Sequence, residues 1–473
     1  MRPLEVSPED FRRLATSVEA LSTEYLSTLD ARSTFPPTSG AEAERLFALE
    51  LPEHGKRDDA FVALRDVVEH SRAQNGRFFG YVQGPGEPIA ALGDLLASVL
   101  NQNMTAWRSS PAGVTIERTV VRWLAEAVGC NRFLGTLTGG GSAANLMGLA
   151  MAREAKTPAN ERGLYGANSG VIYASEQVHM AVPKAVAMLG IGRENLRYVA
   201  CDDSYRMRVS ELERAIVEDV GRGRVPIAVV ASAGTVNTGA IDPLREIVTI
   251  ARAHGVWMHV DGAYGALAAI AAPEKFDGLA LVDSLSLDPH KWLYQPLDCG
   301  CLLYRDAANA RQTFTYTGTY AKQLSADPIE GFAFFEESIE LSRRFRALKL
   351  WLSLRYHGLD AFRRAIRADL CHAQLLAQQV AASSRLELAA PVALSAVCFR
   401  HRPVKGRTAE GDRLNAAILR RVIERGRVYL SNATLGGGFV LRACFVNHRT
   451  TEADVAQIVP EVLAAADEVL TAR

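Results

Sequence analysis

The sequence has no surplus of charge of either sign: 53 Lys and Arg are matched by 53 Asp and Glu among 473 residues. Without a bulk excess of cations, such a chain has little with which to hold a nucleic-acid phosphate backbone. Cysteine is sparse and scattered, with seven residues at positions 130, 201, 299, 301, 371, 398 and 444 and no Cys-x-x-Cys pair. An odd, dispersed set argues against a disulfide framework and against a zinc site, and reads as free thiols in a reducing compartment. Long apolar runs are missing too, none reaching the roughly 18 residues that a bilayer span needs. Residues Met1 to Leu14 mix Arg, Glu and Asp where a secretory leader would carry an apolar stretch. Internal repeats and low-complexity tracts are absent. The expectation is a cytoplasmic protein with no metal, no nucleic-acid partner and no membrane.

What is present is the composition of an ordinary globular protein, 48% hydrophobic and 22% charged, long enough for a large core domain with smaller appendages. Pro8 to Arg72 reads as amphipathic helices broken at Phe35-Pro36-Pro37, where helix is disfavoured before each proline. Helical spacing returns from Ile89 through Leu100 and from Thr115 to Val128. Short β-branched runs then follow at Gly170–Ala174, Leu196–Ala200, Ile227–Ala231, Trp257–Asp261 and Ser284–Leu287, most separated by helical stretches such as Ser210–Gly221 and Pro243–His254. Gly300–Tyr304 could add a strand. That alternation predicts an α/β fold with a mostly parallel central sheet covered by helices on both faces. A mobile stretch is expected from Thr315 to about Ile339, and helices over Arg346–Gly358 and Asp360–Ala382. Strand-like Ala396–Arg400 and Phe439–Val446 alternate with helical Asp412–Gly426 and Glu452–Leu470, which suggests a small C-terminal α/β domain. The expected boundaries are an N-terminal helical segment over 1–75, a large domain over 76–345 and a small domain over 346–473.

In open α/β sheets ligands collect beyond the carboxyl ends of strands, so polar residues there carry the first candidates. Asp261 ends the run Trp257-Met258-His259-Val260; an acid there can pair with a cationic cofactor group, coordinate a metal or cap the next helix. Lys291 follows Asp288-Pro289-His290 and precedes Trp292-Leu293. Partial burial there would make its amine a better nucleophile toward a carbonyl, although most lysines are simply solvated. Thr138-Gly139-Gly140-Gly141-Ser142-Ala143-Ala144-Asn145 opens a helical run. Its backbone N–H groups and helix dipole suit a phosphate, while a tight turn explains three glycines about as well. It matches neither the P-loop nor the dinucleotide pattern.

The combination is more specific than its parts: a glycine loop, His179, Thr235 in Ala233-Gly234-Thr235, Asp261 and Lys291, in that order. Together with His259-Val260-Asp261-Gly262-Ala263-Tyr264, Asp288-Pro289-His290-Lys291-Trp292-Leu293, Asp298-Cys299-Gly300 and Arg343-Arg344-Phe345-Arg346-Ala347-Leu348-Lys349, it resembles the group II pyridoxal 5′-phosphate (PLP)-dependent amino-acid decarboxylases. This family includes aromatic-amino-acid, histidine and glutamate decarboxylases, and the resemblance runs from about Phe78 to Thr451. It implies a fold type I PLP enzyme, like aspartate aminotransferase, working as a homodimer with the N-terminal helices packed across the interface. Lys291 would carry the cofactor as a Schiff base, and Asp261 would keep the pyridine nitrogen protonated. His179 would stack on the ring and serve in proton transfer, a structural histidine being the alternative. Ala263 would lie on the other face, Gly141 and Ser142 would hold the phosphate with His290 nearby, and Thr235 would line the site. Arg442 resembles an arginine that binds the substrate carboxylate, a surface salt bridge being the alternative.

Two departures bear on the reaction. Counting back nine residues from Arg343, the position of the family's catalytic-loop tyrosine falls on Phe334, which cannot donate a proton. In aldehyde synthases of the family phenylalanine stands there and the product is an aldehyde, with ammonia and peroxide. Tyr316, Tyr320 or a water could instead supply the proton. Phe78-Phe79-Gly80-Tyr81 replaces the family's aromatic pair followed by Phe-Pro-Thr, which leaves the substrate open; Tyr81 and Trp107 could line an aromatic pocket or simply pack. The expected reaction is decarboxylation of an L-amino acid, aromatic by preference, to the amine. An aldehyde synthase, an aminotransferase or carbon–sulfur lyase, and a non-enzymatic PLP-fold module are the rivals.

Overall fold

A computed structural model describes residues 4–164, 170–316, 327–402 and 409–472. Seven strands form the central sheet: β1 (Leu134–Thr138), β2 (Gly170–Ser175), β3 (Leu196–Val199), β4 (Val225–Ser232), β5 (Trp257–Asp261), β6 (Ser284–Leu287) and β7 (Gly300–Tyr304). Their spatial order is β1-β7-β6-β5-β4-β2-β3. The contacts β3·β2, β2·β4, β4·β5 and β5·β6 are parallel, while β7 runs antiparallel to both β6 and β1. Strand β1 was not anticipated, because Leu-Gly-Thr-Leu-Thr carries neither a β-branched run nor clear alternation.

Both faces of the sheet are covered, and the side-chain alternation of strands divides them. Val229, Met258 and Leu285 pack into one apolar cluster, while Ala228, Val230 and Trp257 pack into the other. Because β1 is parallel to β6 and β7 runs the opposite way, the carboxyl ends of β1, β5 and β6 meet the start of β7 at one edge.

A second sheet, of four antiparallel strands, is formed by β8 (Leu386–Leu388), β9 (Ala396–His401), β10 (Ser431–Leu435) and β11 (Gly438–Cys444), in the order β10-β11-β9-β8. The helix Ala347–Ala382 joins the two sheets. It is interrupted at Gly358, whose φ of 72° and ψ of 154° leave the helical region, so the two helices expected from sequence are two arms of one bent element. Pro8–Thr28 and Gly40–Phe47 form the N-terminal helices, and neither buries a residue within this chain. Residues 333–338, expected to lie in a mobile stretch, are instead packed. Phe334 is fully buried, and the buried Glu337 accepts hydrogen bonds from Tyr304 and Arg311. Tyr320 and its neighbours 317–326 lie outside the described residues.

Candidate active site

A cavity of about 290 Å³ opens at the carboxyl edge of the large sheet. Its wall takes Gly139–Ser142 from beyond β1, His179 from beyond β2, Gly234 and Val236 from beyond β4, Asp261 from the end of β5, and Lys291 from beyond β6. Five crossings of one sheet thus bring together residues up to about 150 positions apart in sequence.

The Lys291 ammonium lies 3.0 Å from Asp288 Oδ2, one helical turn earlier, and both side chains are largely buried. The other Asp288 oxygen is buried without a hydrogen-bond partner among the described residues. Asp261 Oδ1 accepts from Ser286 Oγ and from the Ala263 N–H, each at 3.2 Å, which orients the carboxylate at the cavity wall. His179 Nδ1 accepts the Ala181 N–H at 3.2 Å, so the neutral ring carries its hydrogen on Nε2. Burial holds its pKa below the ordinary imidazole value, with the Asp261 charge pulling the other way. His290 Nδ1 is bonded to the Cys299 carbonyl at 2.7 Å and therefore carries a hydrogen. Burial lowers its pKa as well.

The glycine loop enters the helix Gly141–Lys156, whose first N–H groups have no intrahelical acceptor. A Cβ at Gly141 would stand 2.6 Å from Ala263 Cβ and 2.9 Å from Asp288 Oδ2, so only glycine lets the loop close onto β5 and β6. Behind the loop, His259 is completely buried, with Nε2 2.8 Å from Asn145 Oδ1 and Nδ1 2.8 Å from Ser284 Oγ. Burial takes its pKa down to about 4, so it is neutral at neutral pH.

A family model for the pyridoxal-dependent decarboxylase conserved domain matches residues 43–402. The chain is 34% identical over 477 residues to an aromatic-L-amino-acid decarboxylase of Bacillus atrophaeus, across 98% of this chain and 97% of that one. The chain belongs to the pyridoxal-dependent decarboxylase family. Among other relatives of this decarboxylase is a 4-hydroxyphenylacetaldehyde synthase of Rhodiola rosea, 32% identical over 467 residues, covering 94% and 93% of the two chains. A crystal structure of Oryza sativa TDC with PLP and tryptamine matches with a TM-score of 0.91 and 27% identity over 99% of each chain. The enzyme is a PLP-dependent carboxy-lyase of α/β fold.

The residues of the decarboxylase cavity fit that cofactor. An amine for the aldehyde, a carboxylate for the pyridinium and a helix N-terminus cleared of side chains for the phosphate face one space. Ser142, Ala263 and His290 line it as well. Thr235 does not appear in the wall; it is buried behind Gly234 and Val236, its hydroxyl 2.9 Å from that of Thr238. Arg442 is buried rather than at the surface, bonded to Ser431 Oγ and to the carbonyl of the wall residue Val236. Tyr81 precedes the wall residue Val82, is 46% exposed, and places its hydroxyl 3.1 Å from that of Tyr429. Trp107 and Phe334 do not reach the cavity of their own chain. Trp107 N–H donates to the Phe332 carbonyl, and Phe334 packs edge-on against Phe332 at 4.9 Å. Tyr316 is 89% exposed.

Asp288 and Asn145 were not singled out from sequence, although both stand in the motifs that were. Their spacing offered a signal: Asp288 is one turn before Lys291, and Asn145 is one turn after Gly141.

Proposed function

We propose that this decarboxylase converts an aromatic L-amino acid to its amine and CO2, with the cofactor held on Lys291. The observation that carries the reading is the convergence of Lys291, Asp261 and His179 on one cavity beside the Gly139–Ser142 loop. Bound there, PLP supplies an electron sink for the pair left on the α-carbon when the carboxylate departs. Asp261, oriented by Ser286 and the Ala263 N–H, offers its charge to the ring nitrogen. Asp288 holds the Lys291 amine at the cavity floor. His179, with a hydrogen on Nε2, would relay a proton taken up from solvent to the α-carbon, the one proton that the amine-forming reaction consumes.

The aromatic preference is supported by relatives named as aromatic-L-amino-acid, tyrosine and tryptophan decarboxylases, and by the aromatic group Phe78, Tyr81 and Tyr429 next to Val82. A second reading, the aldehyde with ammonia and peroxide formed from O2 and water, is favoured by the aldehyde-synthase relative. One panel of L-amino acids assayed for CO2, amine and peroxide separates the readings. CO2 with amine is the expected result, and keto acid without CO2 would overturn the proposal.

We infer further that the working form is a homodimer. Leu92, Leu95, Leu96 and Val99 form one stripe of the helix Pro88–Leu100 and are each more than half exposed in the single chain. With the N-terminal helices Pro8–Thr28 and Gly40–Phe47, none of whose described residues is fully buried in this chain, they supply a face suited to a second copy. All seven cysteines are unpaired, which fits the expected cytoplasmic location.

A further inference from the structure

We propose that Asp369 is a positioning residue for the cofactor lysine, acting through Tyr294; the inference rests on Lys291 as the point of attachment. Tyr294 closes the turn that begins at Lys291, its N–H donating to the Lys291 carbonyl at 3.1 Å. Its φ is +52°, in the left-handed region that bulky residues avoid. A tyrosine held there is strained, and the surroundings must hold it in place.

The surroundings converge on one carboxylate. Tyr294 is buried, with its ring stacked on Phe362 and met edge-on by His448. Its hydroxyl donates to Asp369 Oδ2 at 2.9 Å, and the same oxygen accepts the Asn447 N–H at 3.1 Å. Asn447 Nδ2 in turn donates to the Asn75 carbonyl at 2.7 Å. At the backbone of the turn, Gly84 N–H donates to the His290 carbonyl, and a Cβ at Gly84 would stand 2.7 Å from the Lys291 carbonyl oxygen and 3.0 Å from Tyr294 Cα. The lysine turn is thus clamped between the segment that brings Val82 to the cavity and a carboxylate of the long helix.

Asp369 is 1% exposed, and no salt bridge to it is found among the described residues. A buried carboxylate with only neutral donors is costly, and a side chain serving packing alone would be better apolar. What the carboxylate adds is direction. One oxygen orders the tyrosine hydroxyl and the Asn447 backbone, and so sets where Lys291 leaves its turn.

The test uses the full-length enzyme and its Tyr294→Phe, Asp369→Leu, Asp369→Asn and double Tyr294→Phe/Asp369→Leu variants. PLP affinity is read by absorbance titration, and folding by circular dichroism and thermal melting. Tyr294→Phe and Asp369→Leu are each expected to weaken PLP binding about tenfold, with the double variant no weaker than the worse single one, because both remove the same bond. Asp369→Asn keeps an acceptor oxygen and should recover most of the affinity. Variants that fold and bind PLP as the wild type does, or that only melt earlier, would overturn the inference, as would additive losses. If borohydride fixes the cofactor of the wild type on a lysine other than Lys291, the reading of Lys291 fails and takes this inference with it. If the label sits on Lys291 and the variants bind normally, the inference alone fails.

Discussion

The guanidinium of Arg343 lies 4.3 Å from the centre of the Phe334 ring and is paired with the Glu117 carboxylate. All three residues are buried. At the position where the family resemblance expects a loop tyrosine, this chain therefore has an apolar anchor under a buried ion pair. Phe334→Tyr should introduce a hydroxyl without a ready partner and lower stability by about 1–3 kcal/mol, measured by chemical denaturation. Its ratio of amine to peroxide should match the wild type. A shift toward amine would show that the segment reaches an active site.

Gly141→Ala is expected to abolish or weaken cofactor retention by at least about tenfold, because its methyl group would collide with Ala263 Cβ and approach Asp288 Oδ2. PLP titration of the folded variant measures this. Unchanged affinity would show that the loop can move away from β5 and β6 without loss of the phosphate site.

His259 makes the fold sensitive to acid. Its pKa falls from 6.5 to about 4 on burial, so below about pH 6.5 the unfolded chain binds the proton more readily than the folded one. The stability that the neutral ring contributes is present above pH 6.5 and is lost as pH falls through about 4. The loss is on the order of 3 kcal/mol. Denaturant melts of the wild type and His259→Gln across this range should diverge on the alkaline side and converge toward acid.

Asp369 works in the opposite sense. Its pKa is raised from 3.8 to about 7, chiefly by burial and against the hydrogen bonds from Tyr294 and Asn447. The stability associated with its protonated form is present below about pH 3.8 and is lost as pH rises through about 7. Relative to Asp369→Asn, the wild type should therefore gain in melting temperature as pH is lowered from 7 toward 4.

Leu96→Asp and Val99→Asp place charge on the exposed stripe of the helix Pro88–Leu100. Sedimentation should show dimers for the wild type and a shift toward monomers for these variants, with activity falling in step. Variants that remain dimeric would place the interface elsewhere.

By itself, the sequence determined the elements whose signal is local. The strand positions β5, β6 and β7 were legible because short apolar runs end at turn residues, and Asp261 stood out at the end of such a run, with Lys291 four residues beyond the next. The glycine loop, His179 and the DPHKW segment were legible as an ordered set, which was enough to place the chain in its family. Only the tertiary structure decided what depends on distant packing. β1 became a strand through its pairing with β7, since its own residues carry little preference. Phe334 became a buried anchor because Arg343 and Glu117, 226 positions apart, meet over it. Tyr294 holds a left-handed backbone where Asp369 meets its hydroxyl and Gly84 its Cα. Each of these outcomes rests on groups that the chain brings together in folding, and periodicity within a short window carries no trace of them.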